Sequence, residues 1–140
     1  MTALSQNRTT AERVPRCRLY PILDSEIIYA GGMVQLNTST GEADMASDTA
    51  SRLVVGIAES YVDNSADGEN AEVKTGCFLF ENDATNPVTI ASIGSACFVK
   101  DDNTVCATAG STNKNVAGTV FDVTGDGVWV EISSYIAASS

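Results

Sequence analysis

The stretch Val128-Trp129-Val130-Glu131-Ile132 carries the clearest secondary-structure signal in the chain, because its side chains follow the two-residue period of a β-strand. Val128, Val130 and Ile132 share one side and predict a buried face, whereas Trp129 and Glu131 lie on the other. Trp129 is the single tryptophan, and tryptophan is over-represented among the residues that dominate protein interfaces. We interpret an outward Trp129 as an interface candidate; the alternative is a strand covered on both faces within one subunit.

Outward from this stretch, the 140-residue chain is a series of short apolar segments separated by turns rich in Gly, Asn, Asp and Ser. The predicted strands cover residues 26–29, 33–37, 42–46, 53–61, 72–80, 88–90, 96–100, 104–108, 116–123 and 128–136. Regular spacing of turns at about ten residues is typical of an all-β sandwich or barrel. The sequence therefore predicts an all-β fold, a jelly-roll-like sandwich or barrel of about 8–10 short strands.

Charge and composition divide the chain into three regions. Residues 1–20 carry four arginines against Glu12, a balance of +3, and residues 21–140 carry four basic side chains against seventeen acidic ones, a balance of −13. We predict a basic N-terminal arm over 1–20, a single β domain over 21–136 and a flexible tail over 137–140. The arm residues expected to bind an acidic protein surface are Arg8, Arg13, Pro15, Arg16 and Arg18. The alternative is a leader without function.

The sequence contains no signature of an enzyme, a membrane protein or a nucleic-acid-binding protein. It has no histidine, which removes His-based acid–base chemistry and His metal sites, and it lacks a nucleophile elbow, a phosphate-binding loop and a dinucleotide-binding motif. We predict no catalytic residue and no cofactor. The acidic body repels phosphate backbones, and neither a secretory signal nor an apolar run of roughly 18 residues is present, so we expect no nucleic-acid or membrane partner.

Two local features have simple structural explanations. Residues 63–69, DNSADGE, begin like an EF-hand calcium loop, but Lys74 stands at the twelfth position, where such a loop needs a glutamate. We therefore predict a solvated turn and no metal site.

The four cysteines differ in their sequence surroundings. Cys77, Cys97 and Cys106 lie in apolar stretches and are expected to be buried, inert thiols, whereas Cys17 in the arm is expected to be accessible.

A weak internal repeat is visible at a separation of 62 positions. It aligns Gly32 with Gly94, Arg52 with Lys114, Val54 with Val116, and Gly56 with Gly118. Gly56 lies in the middle of a continuous apolar run, which suggests a β-bulge or a close backbone approach. If the matches reflect a repeat, two similar β-hairpin units packed face to face are expected.

Glycine- and valine-rich motifs run through the domain in a characteristic succession. They are Ala30-Gly31-Gly32-Met33-Val34-Gln35-Leu36, Gly41-Glu42, Val54-Val55-Gly56-Ile57-Ala58, Gly68, Val73-x-x-Gly76, Ile93-Gly94, Val116-Ala117-Gly118 and Val128-Trp129-Val130. Over about residues 25–136 this succession resembles the capsid decoration, or cement, proteins of tailed bacteriophages. The arginine-bearing leader is not a feature that the resemblance covers.

The resemblance implies a structural virion protein that is made in the host cytoplasm and binds the outer surface of the assembled head. Such a protein ties neighbouring major capsid protein subunits together against internal DNA pressure. We expect a homodimer, with a homotrimer as the alternative, because two-fold association is the commonest closed symmetry. The alternative function is a non-catalytic β-sandwich module that binds carbohydrate or calcium, against which the few aromatic residues and the incomplete calcium loop weigh.

Overall fold

A computed structural model describes residues 17–66 and 68–133, together with residues 3, 5–7 and 10. The described residues form twelve strands and two single-turn 3-10 helices, Ile90–Ser92 and Thr108–Gly110, which confirms the all-β prediction. The strands are β1 (Cys17–Pro21), β2 (Ile27–Ile28), β3 (Met33–Asn37), β4 (Ala43–Met45), β5 (Arg52–Ala58), β6 (Val62–Asp63), β7 (Asn70–Lys74), β8 (Gly76–Asn82), β9 (Ala96–Val99), β10 (Thr104–Cys106), β11 (Val116–Thr124) and β12 (Gly127–Ile132).

The strand count exceeds the expected 8–10 because one predicted strand is divided in two, β6 lies outside the predicted segments, and one strand lies in the predicted arm. The segment 53–61 contributes to β5 and precedes β6, and the segment 72–80 is divided between β7 and β8 at Thr75. Residues 17–20, assigned to the arm by charge, form most of β1, which pairs antiparallel with β7 over its whole length. Tyr20 packs against the core, so an apolar contact holds this basic segment to the sheet.

The predicted strand at 88–90 is wrong. Val88 is buried, but its backbone amide and carbonyl hydrogen-bond to the side-chain amide of Asn82, at 2.8 and 2.9 Å, instead of a neighbouring strand. Ile90 then begins a 3-10 helix. The side chain of Asn82 thus takes the place of a strand partner, because asparagine offers both a donor and an acceptor.

Two units with the same strand order make up the fold. The first is a five-stranded sheet in the order β4-β3-β5-β7-β1, and the second is a closed barrel in the order β10-β9-β11-β12-β8. The second closes where β10 pairs parallel with β8. The first has an equivalent parallel bridge between Ile22, just after β1, and Ala43 of β4. The β2–β6 ribbon has no counterpart in the second unit among the described strands.

The 62-residue repeat is present in the structure at the Val-x-Gly motifs. In the first unit, Val54 and Gly56 of β5 pair with two adjacent residues of β3, so β5 has one extra residue between them. Val116 and Gly118 of β11 pair in the same way with two adjacent residues of β9. Each motif therefore forms a β-bulge. A Cβ added at Gly56 would lie 2.2 Å from the carbonyl oxygen of Lys74, and one at Gly118 would lie 2.5 Å from that of Glu131. Each glycine thus lets the next strand of its own unit approach closely.

The two units share hydrophobic core. One cluster fills the first unit and the other fills the second, but Met33, Val54 and Ile57 of the first unit belong to the cluster of the second. Val55 and Ala58 pack toward the first cluster, while Val54 and Ile57 pack toward the second. The bulge at the Val-x-Gly motif shifts the two-residue alternation of β5 by one position, so that residues three apart share a face. The units therefore pack through one face of the first sheet.

Repeat-equivalent loops also connect the units. The Asp48 carboxylate accepts hydrogen bonds from the Thr112 amide at 2.7 Å, the Asn113 amide at 2.9 Å and the Ser111 hydroxyl at 3.3 Å. The Asn115 side-chain amide donates back to carbonyls of residues 47 and 49. Burial tends to raise the pKa of Asp48, but the hydrogen bonds outweigh it and lower the pKa below its ordinary value.

Candidate interaction surfaces

The outer face of the second unit carries a patch of exposed apolar side chains, which we name the Trp129 patch: Leu79, Phe121 and Trp129. Trp129 on β12 lies directly opposite Leu79 on β8, and their exposed fractions are 37% and 40%. Phe121 is the extra residue of a bulge in β11, beside the position where Asp122 pairs with Trp129, and is 65% exposed. Three adjacent strands thus place apolar side chains in solvent.

Strand alternation produces this patch. Along β12 the inward Val128, Val130 and Ile132 are buried, which leaves Trp129 and Glu131 outward as predicted. The same alternation places Cys77 of β8 opposite Glu131, on the outer face. The prediction that Cys77 is buried is therefore wrong, because an apolar neighbourhood in sequence does not specify which face a residue occupies.

The predicted arm residues are only partly described. Arg18 is an exposed residue of β1, opposite Val73, and its guanidinium lies 4.7 Å from the centre of the Tyr20 ring. It is thus part of the sheet edge, where the cation is attracted to the face of the aromatic ring. Arg8, Arg13, Pro15 and Arg16 lie outside the described residues.

The calcium-like segment is a turn with internal hydrogen bonds. The Asp63 carboxylate accepts from the amide and the hydroxyl of Ser65, at 2.9 and 2.5 Å, and these bonds lower its pKa. Asn64 is fully buried, donates to the carbonyls of residues 22 and 23, and accepts from the Glu69 amide. Within the described ranges, no group of three or more acidic, cysteine or histidine side chains is arranged to hold a metal ion.

A second surface feature is a cleft of about 390 Å³ between the units, which we name the inter-unit cleft. Its lining comes from β5, from β11 with the residues before it, and from the end of β12. The lining residues are Arg52, Leu53, Val54, Lys114, Asn115, Val116, Ala117, Gly118, Thr119, Glu131, Ile132 and Ser133. Positions 52–54 and 114–116 are equivalent in the 62-residue repeat, so both units contribute the same positions to the cleft.

Charged side chains of both signs lie at the inter-unit cleft. Arg52 and Lys114 line it together with one acid, Glu131, in a chain whose net charge is −10. The Lys114 ammonium donates to the carbonyls of Thr108 and Ser111, at 2.5 and 2.6 Å. The Arg52 Nε lies 4.0 Å from a carboxylate oxygen of Asp44. The Arg52 Nη1 also donates to the carbonyls of Ala50 and Ser51, at 3.1 and 3.5 Å, so backbone carbonyls hold both cations.

Partial burial of Asp44 affects the environment of Arg52. Desolvation raises the pKa of Asp44, against the opposing effects of a hydrogen bond with Gln35 and of the Arg52 charge. The Arg52 Nε and one Asp44 oxygen are buried without a hydrogen-bond partner among the described residues. The pair is therefore a loose contact rather than a hydrogen-bonded ion pair.

Sequence reasoning identified Trp129 and missed the inter-unit cleft. The repeat does align Arg52 with Lys114, the two cations that line the cleft. Their equivalence in sequence predicts that they lie at the same cleft only once the two units are known to face each other. Leu79 and Phe121 were also missed. Leu79 lies in a run that is apolar on both faces, and Phe121 is outward because of a bulge that the sequence does not reveal.

Comparison with known proteins gives no match to a family model, to a curated protein or to a solved structure. Among the described residues, no helix has the length and apolar character needed to cross a membrane.

Proposed function

We propose that this protein is a structural cement protein of a tailed-bacteriophage virion, which binds the outside of the assembled head and links neighbouring major capsid protein subunits. The observation that carries the proposal is the Trp129 patch, in which Leu79, Phe121 and Trp129 are exposed on adjacent strands. Clustered exposed apolar side chains are typical of protein-binding surfaces. The glycine and valine motifs that resemble the decoration proteins support the choice of partner.

Binding through contact area accounts for the way such a protein would act. Burying the exposed part of a large aromatic side chain stabilises a complex by about 1–2 kcal/mol, at roughly 25 cal/mol per Å². One such contact gives modest affinity, but a shell presents the same joint many times, and a homo-oligomer engages several joints at once. The acidic surface keeps free copies soluble and away from packaged nucleic acid.

The proposal is tested by measuring occupancy on purified heads with the Trp129 patch altered. The double variant Trp129→Gln, Phe121→Gln removes the two aromatic side chains, and we expect its affinity for heads to fall at least tenfold, about 1.4 kcal/mol. The matched control is Tyr61→Gln, which alters an exposed aromatic side chain next to the β2–β6 ribbon, on the first unit. Its affinity should stay within about twofold of the unaltered protein.

Failure of the unaltered protein to bind either unexpanded or expanded heads would contradict the cement function. Equal binding by the double variant and the unaltered protein would show that another surface meets the shell. Circular dichroism of each variant checks that the β-fold is retained.

A further inference from the structure

The outer face of the second unit carries acidic side chains among its exposed apolar ones. Glu131 lies two positions from Trp129 on β12, which places both side chains on the same face, about 7 Å apart along the strand. Glu81 and Leu79 have the same spacing on β8, and Asp122 of β11 pairs directly with Trp129. Each strand of the Trp129 patch therefore contributes one acid to this face. We name Glu81, Asp122 and Glu131 the acidic rim.

The acidic rim lies at the surface of the protein. Glu81 and Glu131 are exposed, and Asp122 is half-buried. Glu131 lies opposite Cys77, and the pKa of that thiol is raised by burial and further by the Glu131 charge. The negative charge of the rim thus acts across the face between β12 and β8.

The basic side chains of the described residues lie elsewhere. Among residues 17–66 and 68–133, the ion pairs involve Asp44 and Glu59, and none involves the acidic rim. Each of the five cations in these ranges has another partner: Asp44 for Arg52, Glu59 for Lys74, the Tyr20 ring for Arg18, and backbone carbonyls for Lys100 and Lys114.

The equivalent face of the first unit has a different character. β1 and β7 hold the places that β8 and β12 hold in the second unit, so Glu72 stands where Trp129 does, and Lys74 stands where Glu131 does. The Lys74 ammonium pairs with the Glu59 carboxylate at 2.9 Å. The first face therefore carries both signs of charge, and the combination of apolar area with acids alone belongs to the second unit.

We propose that the Trp129 patch binds a basic site of the major capsid protein, in which lysine or arginine side chains border an apolar surface. The inference rests on the proposed function, which supplies the partner. The apolar side chains provide buried area, and opposite charges at the acidic rim fix the orientation of the complex and speed its formation. An arginine of the partner gains a further contact over the Trp129 ring, because tryptophan attracts cations more strongly than the other aromatic residues.

Charge argues against a second copy of this chain as the occupant. A two-fold dimer formed through the Trp129 patch would set one acidic rim against the other, because such an interface uses the same surface on both subunits. The net charge of −10 adds to this repulsion. An acidic partner would be rejected for the same reason. The patch therefore stays available to the shell in a homo-oligomer.

The affinity of the full chain for purified heads, measured over a range of salt concentrations, tests the inference. Glu81→Gln, Glu131→Gln should weaken binding roughly fivefold or more at low salt, and the loss should disappear near 1 M, where charges are screened within about 3 Å. The matched control, Glu69→Gln, Glu72→Gln, removes the same charge from exposed positions of the first unit and should bind within about twofold of the unaltered protein.

Charge reversal reports the sign of the partner's charge. Glu81→Lys, Glu131→Lys should weaken binding at low salt more than the glutamine variant does, because lysine would then face basic side chains. Glu69→Lys, Glu72→Lys is its control, and circular dichroism checks that each variant keeps the β-fold. Equal or tighter binding by the reversed rim would overturn the inference and leave the cement function standing. Absence of any binding by the unaltered protein would overturn both.

Discussion

At the scale of single residues, the repeat-equivalent glycines are the most constrained positions. We predict that Gly118→Ala lowers the free energy of unfolding by roughly 1–3 kcal/mol, because the added methyl would lie 2.5 Å from the Glu131 carbonyl oxygen and must displace a strand. The measurement is equilibrium denaturation followed by Trp129 fluorescence. Gly125→Ala is the control, since a Cβ there meets no atom within 4 Å. Equal stability of the two variants would contradict the close approach.

The Asp48 carboxylate is predicted to make the contact between the units depend on pH. Its folded-state pKa is lowered, so its contribution to stability is fully present above about pH 4 and is lost as the pH falls through the folded-state pKa. Asp48→Asn should cost roughly 1 kcal/mol near pH 7, and the difference from the unaltered protein should shrink toward pH 3. Denaturation across this range measures it. Asp126→Asn, an exposed turn substitution, should show no such loss.

At the scale of elements, strand alternation predicts which thiols react in the folded protein. Cys17 on β1 and Cys77 on β8 are exposed, whereas Cys97 and Cys106 are buried, and burial raises the pKa of Cys97 to about 12. We expect a maleimide reagent to modify two thiols per chain in native buffer and four after unfolding. Mass spectrometry of the labelled peptides identifies them. Rapid native labelling of Cys97 would contradict the closed second unit.

The strand β1 also changes where the arm can be removed. Because Cys17–Pro21 pairs with β7, a truncation that tests the arm must end at Arg16. We predict that deleting residues 1–16 keeps the fold and lowers occupancy on heads, because it removes Arg8, Arg13 and Arg16 and their attraction to shell carboxylates. The control replaces these arginines with lysine and should retain most binding. Unchanged occupancy after deletion would show that the arm does not contribute.

Elements with a regular two-residue pattern were predictable from the sequence, and those defined by long-range contacts were not. Met33–Asn37 was predicted with its observed bounds, because its apolar and polar residues and its flanking turns agree. β1 was missed because Arg18 within it and the three arginines before it suggested a solvated arm, although Tyr20 packs on the core. The strand predicted at 88–90 was wrong because a side chain, Asn82, satisfies the backbone there. The pairing of β1 and the hydrogen bonds of Val88 both depend on residues outside the segment concerned, so the sequence of that segment alone does not predict them.

At the scale of the whole molecule, the fold is a repeat in which the two units contact each other through equivalent parts. The loop containing Asp48 meets the loop 111–115, and 52–54 faces 114–116 across the inter-unit cleft. Contacts between equivalent surfaces are the arrangement of a two-fold dimer. The faint sequence repeat predicted two similar units, but only the shared strand order shows that each is a complete five-stranded unit.

The proposed function assigns the contact with the shell to the Trp129 patch, where Leu79, Phe121 and Trp129 are exposed. Exposed apolar area of this kind suits a protein that acts by contact repeated over a lattice.

Quantitative mass spectrometry of purified virions, combined with surface labelling, tests the cement function most directly. The account predicts that this chain is present in many copies, in a fixed ratio to the major capsid protein, and that Leu79, Phe121 and Trp129 are shielded on the particle but reactive or exposed in the free protein. Intact, infectious virions that contain none of this chain would contradict it.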